Sequence, residues 1–292
     1  MDSLTTLSLH SRPDSFQTLM RLPKISPMTV RLLSMLARDC SVPELAALVE
    51  KDAPLSAGVL QLANSAVFAR VQPIHSLQHA ISMVGLGTIR KFALAVSISN
   101  LFSRFKAPAT FSLNRFNAHS VATGVLTELL SAELPVESPE EAFLAGMLHD
   151  VGKLLIATNL PKKYDEILEL NAVLQVPLLQ CEREILKIDH AELSTLAIER
   201  WDLAPAIRHA ARFHHEPERA SADEKVPRGR LGLSLVVHRA DAFVNYCGLS
   251  VLPPALTPAE PPSLEFEGFS VPVDRVLTRF EKEWKDLGNL FH

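Results

Sequence analysis

The sequence predicts an all-helical fold, and three observations carry that prediction. Helix-capping patterns recur along the chain, apolar residues repeat at helical spacing, and no strand-length run of alternating residues is convincing. The first capping box is Ser41 to Glu44, S-x-x-E, where the serine oxygen and the glutamate carboxylate each satisfy an exposed N–H. Leu45, Leu48 and Val49 follow at i, i+3, i+4 spacing. Asp52 caps the next helix, Pro54 sits where a missing N–H costs nothing, and Leu55, Val59, Leu60 and Leu62 form the apolar set. Ser76 caps SLQHAISMVG, which Gly85 and Gly87 interrupt. A very apolar helix resumes from Thr88 to Phe105 and ends near Ala107-Pro108. Ser138-Pro-Glu-Glu141 is another capping box and opens a single helix, AFLAGMLHDVGKLLIATNL. Asp189 and Glu192 repeat the pattern, which puts His190 in a first helical turn. Asp202 starts LAPAIRHAARFHH, and Arg230 to Tyr246 forms one more apolar helix. A last amphipathic helix carries Val273, Val276, Leu277, Phe280, Trp284 and Leu287 on one face.

The 292 residues suffice for two ordinary domains. The reading divides them into a mobile lead (1–20), an N-terminal helical lobe (21–107), a second helical lobe (108–250), a connector (251–271) and the C-terminal amphipathic helix (272–292). Pro253, Pro254, Pro258, Pro261 and Pro262 make the connector an extended segment. Hydrophobic residues at 47% fill a sizeable core, and aromatics at 6% leave that task to aliphatic side chains. A net charge of -4 and a pI near 6.3 argue against a nucleic-acid partner, so no DNA binding is expected. Cys40, Cys181 and Cys247 are scattered, which indicates neither a disulfide framework nor a thiolate zinc site. The first residues lack a signal-peptide pattern and no apolar run approaches the roughly 20 residues of a membrane span, so no membrane is expected and the cytoplasm is the expected location.

Chemistry concentrates at His119, His149-Asp150, His190, His214-His215 and Asp241, which five helices or helix ends supply. Imidazole nitrogens and carboxylate oxygens suit zinc, iron or manganese. Lys153 lies four residues after His149, on the same face, where it could neutralise a phosphate oxygen beside a metal. MLHDVGKLL places two polar residues inside an apolar helix, and burying them unpartnered would cost several kcal/mol. A metal is one efficient partner; a metal-free network of His–Asp hydrogen bonds is the other. His214-His215 could simply end a helix, and Asp241 could pair with Arg239 or His238. His75 and His79 are spaced i, i+4 without a third ligand nearby, which favours surface roles. Asn64-Ser65 reads as a helix end, and Arg90-Lys91 with Arg104 and Lys106 as a solvated face.

AFLAGMLHDVGKLLI resembles the signature helix of the HD superfamily of metal-dependent phosphohydrolases. The order H…HD…K…H…HH…D resembles the HD-GYP branch, which hydrolyses cyclic di-GMP. That resemblance implies metal ligation by His119, His149, Asp150, His190, His214, His215 and Asp241, with Lys153 on the substrate phosphate. LPKISPMTVRLLSML, VEKDAPLSAGVLQLANSAVF and SLQHAISMVGLGTIRKFALAVSISNLF resemble a narrower group, the HDOD family, over roughly residues 20–246. It implies an N-terminal helical lobe packed on an HD-like metal-site lobe, and a regulatory role in bacterial signal transduction. Two features depart from the HD-GYP pattern. EPERASADEKVP replaces the Gly-Tyr-Pro segment, and Arg115 stands four residues before His119, where that branch carries a metal-binding Glu. A cation there opposes a third metal.

The expected function is a signalling output module acting through a protein partner or a nucleotide second messenger, with a divalent metal (Fe, Mn or Zn) in the second lobe. The alternative is a metal-dependent phosphohydrolase of a nucleotide or cyclic nucleotide, in which Asp150 and Lys153 carry the chemistry.

Overall fold

A computed structural model describes residues 19, 27–36, 40–65, 73–103, 106–223, 226–227, 229–252 and 260–288. The expected mobile lead therefore lies outside the described residues apart from Leu19, as do Arg104 and residues 253–259 of the connector. The fold is all-helical, as the capping patterns predicted. Among the described residues no strand or sheet occurs, only isolated bridges at Val136–Leu231 and Phe266–Phe269.

The first helices follow their local signals. Helix α1 spans Pro27–Leu36 and α2 spans Val42–Val49, where Ser41 and Glu44 form both halves of the capping box. Helix α3 is Ala53–Ala63, capped by Asp52 accepting from Leu55 N at 2.9 Å. Asn64 ends it by pinning the next loop: its side chain donates to Ile74 O at 2.9 Å and accepts from Ile74 N at 2.8 Å. Helix α4 is Leu77–Val84 with Ser76 as its cap, and α5 is Leu86–Phe102, shorter than expected at its C-terminus. Gly85, at φ 100, turns the chain between them by 112°, a conformation that other residues rarely adopt. No single helix is long and apolar enough to cross a membrane among the described residues.

The remaining helices build the region that carries the His and Asp residues. Helix α6 is Leu113–Ser131, and a short 3-10 turn at Pro139–Glu141 leads into α7, Ala142–Leu148. Helix α8 is Val151–Asn159, α9 is Pro161–Leu174 and α10 is Leu178–Leu186. Helices α11 (His190–Arg200), α12 (Pro205–Phe213), α13 (Pro217–Asp223), α14 (Leu233–Tyr246) and α15 (Val273–Gly288) complete the chain. Four local expectations need correction. Ser138 makes no capping bond, because the turn after it tightens to 3-10 geometry. The helix read as continuous from 142 to 160 breaks at His149 and Asp150. Asp202 does not start α12; it adopts a left-handed conformation (φ 55) that closes the preceding helix, with Leu203 N donating to Ile198 O at 3.2 Å. Helix α14 begins at Leu233 and not at Arg230.

Lys91 also departs from the expected solvated face. Its neighbour Arg90 donates to Met35 O, but Lys91 is buried and does not face solvent. Its ammonium lies 2.7 Å from Glu128 on α6 and 2.5 Å from Glu283 on α15. Three helices distant in sequence thus share one charge cluster. Helix α15 docks on α6 through Val276, Phe280 and Leu287, all buried, with Trp284 half-buried beside them.

Two glycines set how closely the later helices approach. A Cβ on Gly146 would lie 2.7 Å from Thr123 O and 2.8 Å from the Cα of Gly124, so α6 and α7 cross backbone to backbone. A Cβ on Gly152 would lie 2.1 Å from His190 O, and the Gly152 amide donates to Ser194 Oγ at 2.9 Å. Gly152→Ala should therefore destabilise the protein by about 1–3 kcal/mol or more, because backbone and not a side-chain tip must give way. Gly87→Ala is the control, since nothing lies within 4 Å of its Cβ position. Thermal melts of the two variants should show a clear loss for the first and no loss for the second.

Candidate metal centre

The sequence-predicted residues meet at one place. His149 ends α7, Asp150 precedes α8, His190 opens α11, and His214-His215 follow α12, while His119 and Asp241 come from within α6 and α14. The break at His149-Asp150 matters here. A continuous helix would aim these adjacent side chains about 100° apart; the turn instead brings both into the same interior. Two groups of potential ligand atoms result, each with atoms within 4.8 Å of one another. One comprises His119, His149, Asp150 and Asp241; the other comprises Asp150, His190, His214 and His215. Asp150 belongs to both. Its Oδ2 lies 3.4 Å from Nε2 of His119 and of His149. Its Oδ1 lies 3.4 Å from Nε2 of His190 and 3.6 Å from Nε2 of His214. Asp241 Oδ1 lies 3.2 Å from Nε2 of His119, so its partners are neither Arg239 nor His238.

The imidazoles are held by their outer nitrogens. His119 Nδ1 donates to Leu249 O at 2.9 Å, His149 Nδ1 to Gly146 O at 2.7 Å, and His214 Nδ1 to Ala211 O at 2.8 Å. His190 Nδ1 donates to the buried carboxylate of Glu182 at 2.6 Å. A carbonyl or carboxylate only accepts, so each neutral ring carries its proton on Nδ1 and turns an Nε2 lone pair inward. In their neutral forms the four rings would turn four lone pairs toward two carboxylates; without a cation, the inward nitrogen of His149 carries a proton instead. Asp150 Oδ1 and His214 Nε2 are buried without a hydrogen-bond partner among the described residues. Such atoms are costly unless a cation or a donor joins them. Among the described residues no acceptor fixes His215 in this way; its Nε2 faces that of His190 at 2.8 Å, so one of the two carries a proton.

The protonation equilibria reflect the same crowding. Burial opposes a charge on His149, yet Asp150 and Asp241 outweigh it and push its pKa up to about 10. His119 is raised by the same carboxylates against its burial. Burial would raise Asp150 as well, but His149 and Lys153 hold its carboxyl well below the usual range. Burial dominates at His214, lowering it to about 4, and at His215, where it drives the pKa far below that of a free imidazole. Lys153 reaches Asp150 Oδ2 at 2.5 Å and stays charged despite its burial, raised by Asp150 and Asp241.

Several supporting residues escaped the sequence reading. Glu182 also accepts from His190 N at 2.8 Å, so it fixes both the backbone and the ring of His190. Its signal was present: Leu178, Glu182 and Leu186 share a face at i, i+4, i+8, and an acid on a buried face needs a partner. Asn245 donates to Asp241 Oδ1 at 2.8 Å. Arg115 does not stand free as a cation beside the cluster. It donates to Ser250 O at 3.0 Å and Leu252 O at 2.9 Å, which anchors the segment whose Leu249 carbonyl orients His119. His75 and His79 are exposed and lie outside the cluster.

Residues 22–217 match the HDOD domain family, and the chain belongs to it. An uncharacterised protein of Treponema pallidum (strain Nichols) is 22% identical over 188 residues, which is 64% of this chain but only 36% of that relative. An HDOD domain protein of unknown function from Geobacter sulfurreducens shares the fold, with a TM-score of 0.72, 22% identity and 94% of each chain covered. So does a protein provisionally named a phosphohydrolase from Shewanella amazonensis SB2B, with a TM-score of 0.69, 22% identity and coverage of 95% of this chain and 98% of that one. A protein provisionally named a signal transduction protein from Marinobacter aquaeolei VT8 has a TM-score of 0.69 at 16% identity, with 92% of this chain and 59% of that one covered.

The cation-free protein should titrate accordingly. A group raised above its unfolded pKa contributes stability that is fully present below the unfolded value and is lost as pH rises through the folded one. His149 therefore stabilises the chelated protein below pH 6.5 and ceases to do so as pH approaches about 10. His214, lowered to about 4, works the other way and withdraws stability as pH falls from 6.5 toward 4. Urea midpoints of chelator-treated protein should decline from neutral pH toward 10. The decline should be smaller in Asp150→Asn, which removes the charge that holds the His149 proton.

Proposed function

We propose that this chain is a signal-transduction module of the HDOD type whose second helical lobe would hold two divalent cations in ligand sets that share Asp150. The observation that carries the reading is the convergence of four inward Nε2 atoms on both oxygens of one buried carboxylate, with Asp150 Oδ1 and His214 Nε2 left without a hydrogen-bond partner among the described residues. His119, His149, Asp150 and Asp241 would hold one cation, and Asp150, His190, His214 and His215 the other. Mixed imidazole and carboxylate donors suit iron, manganese or zinc and disfavour calcium and magnesium. Glu182 and Asn245 act behind the ligands, fixing the orientation of His190 and Asp241. The bound cations would lock the ends of α7, α8, α11 and α12 together, so their presence would set the surface that the lobe offers to a signalling partner.

A second reading, a phosphohydrolase of a nucleotide or cyclic nucleotide, rests on Lys153. Its ammonium lies at the rim of the cluster and pairs with Asp150, and its side chain and that of Asp241 retain 14% and 11% exposure while the other side chains around Asp150 in the first group are closed to solvent. Divalent cations at such a site supply Lewis acidity and lower the pKa of bound water. Lys153 would leave Asp150 for a phosphate oxygen, where its fixed positive charge would stabilise the developing negative charge.

Elemental analysis of purified protein and melting curves with and without chelator test the first reading. Metal at 100 times its Kd should stabilise the wild type by about 2.7 kcal/mol. Asp150→Ala should lose both the metal and the chelator effect, and His75→Ala should keep both. Glu182→Gln should fold and weaken metal affinity by roughly 10–100-fold. Because His149 holds a proton up to about pH 10, metal uptake at pH 8 should release it. Calorimetry in buffers of different ionisation enthalpy reads that release directly. Hydrolysis of bis(p-nitrophenyl) phosphate by the metal-loaded wild type, lost in Lys153→Ala without loss of metal, would put the second reading first.

A further inference from the structure

We propose that a second site, distinct from the metal centre, binds a small hydroxylated phosphate monoester in the cavity between α13 and the start of α14. The cavity holds about 640 Å³, within the range of roughly 300–1,000 Å³ typical of small-molecule sites. Among the described residues its charged lining is two arginines, Arg230 and Arg239, against one carboxylate, Glu218. The Nε of Arg239 is buried and has no hydrogen-bond partner among the described residues. A buried guanidinium N–H without an acceptor is costly, and although Arg239 also borders a neighbouring cavity that holds Glu265 and Glu267, neither carboxylate reaches that nitrogen; an anion drawn to the Arg239 guanidinium would offset the cost. Arg230 engages Val136 O through one nitrogen at 3.3 Å, and among the described residues its other guanidinium N–H groups have no partner. Two guanidinium forks at one cavity suit the planar, multidentate recognition of a phosphate group.

The rest of the lining narrows the class. His238 donates from Nδ1 to His214 O at 2.7 Å, so the neutral ring keeps a lone pair on Nε2. That nitrogen accepts from a hydroxyl or an amine and not from a bare anion. Leu231 and Leu235 supply an apolar wall. A phosphate with hydroxyl groups on its carbon skeleton satisfies the arginines and His238 together. The same hydrogen bond ties the cavity to the backbone of His214, one of the residues grouped around Asp150.

Isothermal titration with ribose 5-phosphate and with adenosine 5′-monophosphate tests the site, with adenosine as the phosphate-free control. Wild-type protein should bind the phosphates saturably and adenosine far more weakly. A preference for adenosine 5′-monophosphate over ribose 5-phosphate would show the apolar wall in use; equal binding would assign recognition to phosphate and ribose alone. Arg239→Gln should weaken binding roughly ten-fold or more, as expected for loss of a charge-assisted hydrogen bond. If that variant loses its helical circular dichroism, Arg230→Gln provides the same comparison. Asp150→Ala should retain the binding, which separates this site from the metal reading whatever the fate of the latter. Binding that vanishes with Asp150→Ala and survives the arginine substitutions belongs to the metal centre and overturns the proposal. So does the absence of saturable binding by the wild type at millimolar phosphate ligand.

Discussion

Asp150 is a buried carboxylate placed between two sets of imidazoles, and most of the surrounding architecture can be understood as what is needed to keep it there. Its oxygens face opposite groups, His119 and His149 on one side and His190 and His214 on the other. An isolated buried charge is among the most expensive features a fold can contain. The chain meets that cost in two ways at once. Lys153 supplies a cation from one turn further along, and the protons held on His149 and His119 supply more. A divalent cation would replace those protons and satisfy the two atoms that lack a hydrogen-bond partner among the described residues. The site is thus organised for positive charge whichever species provides it.

That demand reaches outward through backbone. The carbonyls of Gly146, Ala211 and Leu249 each take an imidazole proton, so helix ends and one loop act as the outer layer of the site. Helix ends are suited to this task because their last carbonyls have no partner within the helix. Gly146 and Gly152 let α6, α7, α8 and α11 approach at distances that any side chain would forbid. Arg115, a departure from the HD-GYP pattern that the sequence resembles, holds the 250–252 segment in place and thereby helps to orient His119. The charge cluster of Lys91, Glu128 and Glu283 then fastens α5 and α15 to α6, the helix that carries His119.

What the sequence made legible was what local chemistry decides. Ser41, Asp52, Ser76 and Asp189 cap their helices because a cap needs only the residues within one turn. The cluster residues were legible because polar groups inside the apolar run MLHDVGKLL demand an explanation, and because their order along the chain resembles a family pattern. The break between α7 and α8 was not, since the run keeps helical periodicity through it and only tertiary packing of Gly146 and Gly152 fixes the turn. Glu182 and Lys91 were hidden for a related reason. Each is a charged residue whose partners lie on other helices, and separation along the chain conceals them. Asp202 looked like an N-cap because aspartate favours that position, but aspartate also tolerates the left-handed conformation that ends a helix.

Anomalous diffraction from crystals grown with manganese tests most directly whether Asp150 is shared by the ligand sets of two cations. The prediction is two anomalous peaks flanking Asp150, one beside His119, His149 and Asp241 and the other beside His190, His214 and His215. Crystals saturated with manganese that show no peak at either group, with Lys153 still paired to Asp150, would contradict it.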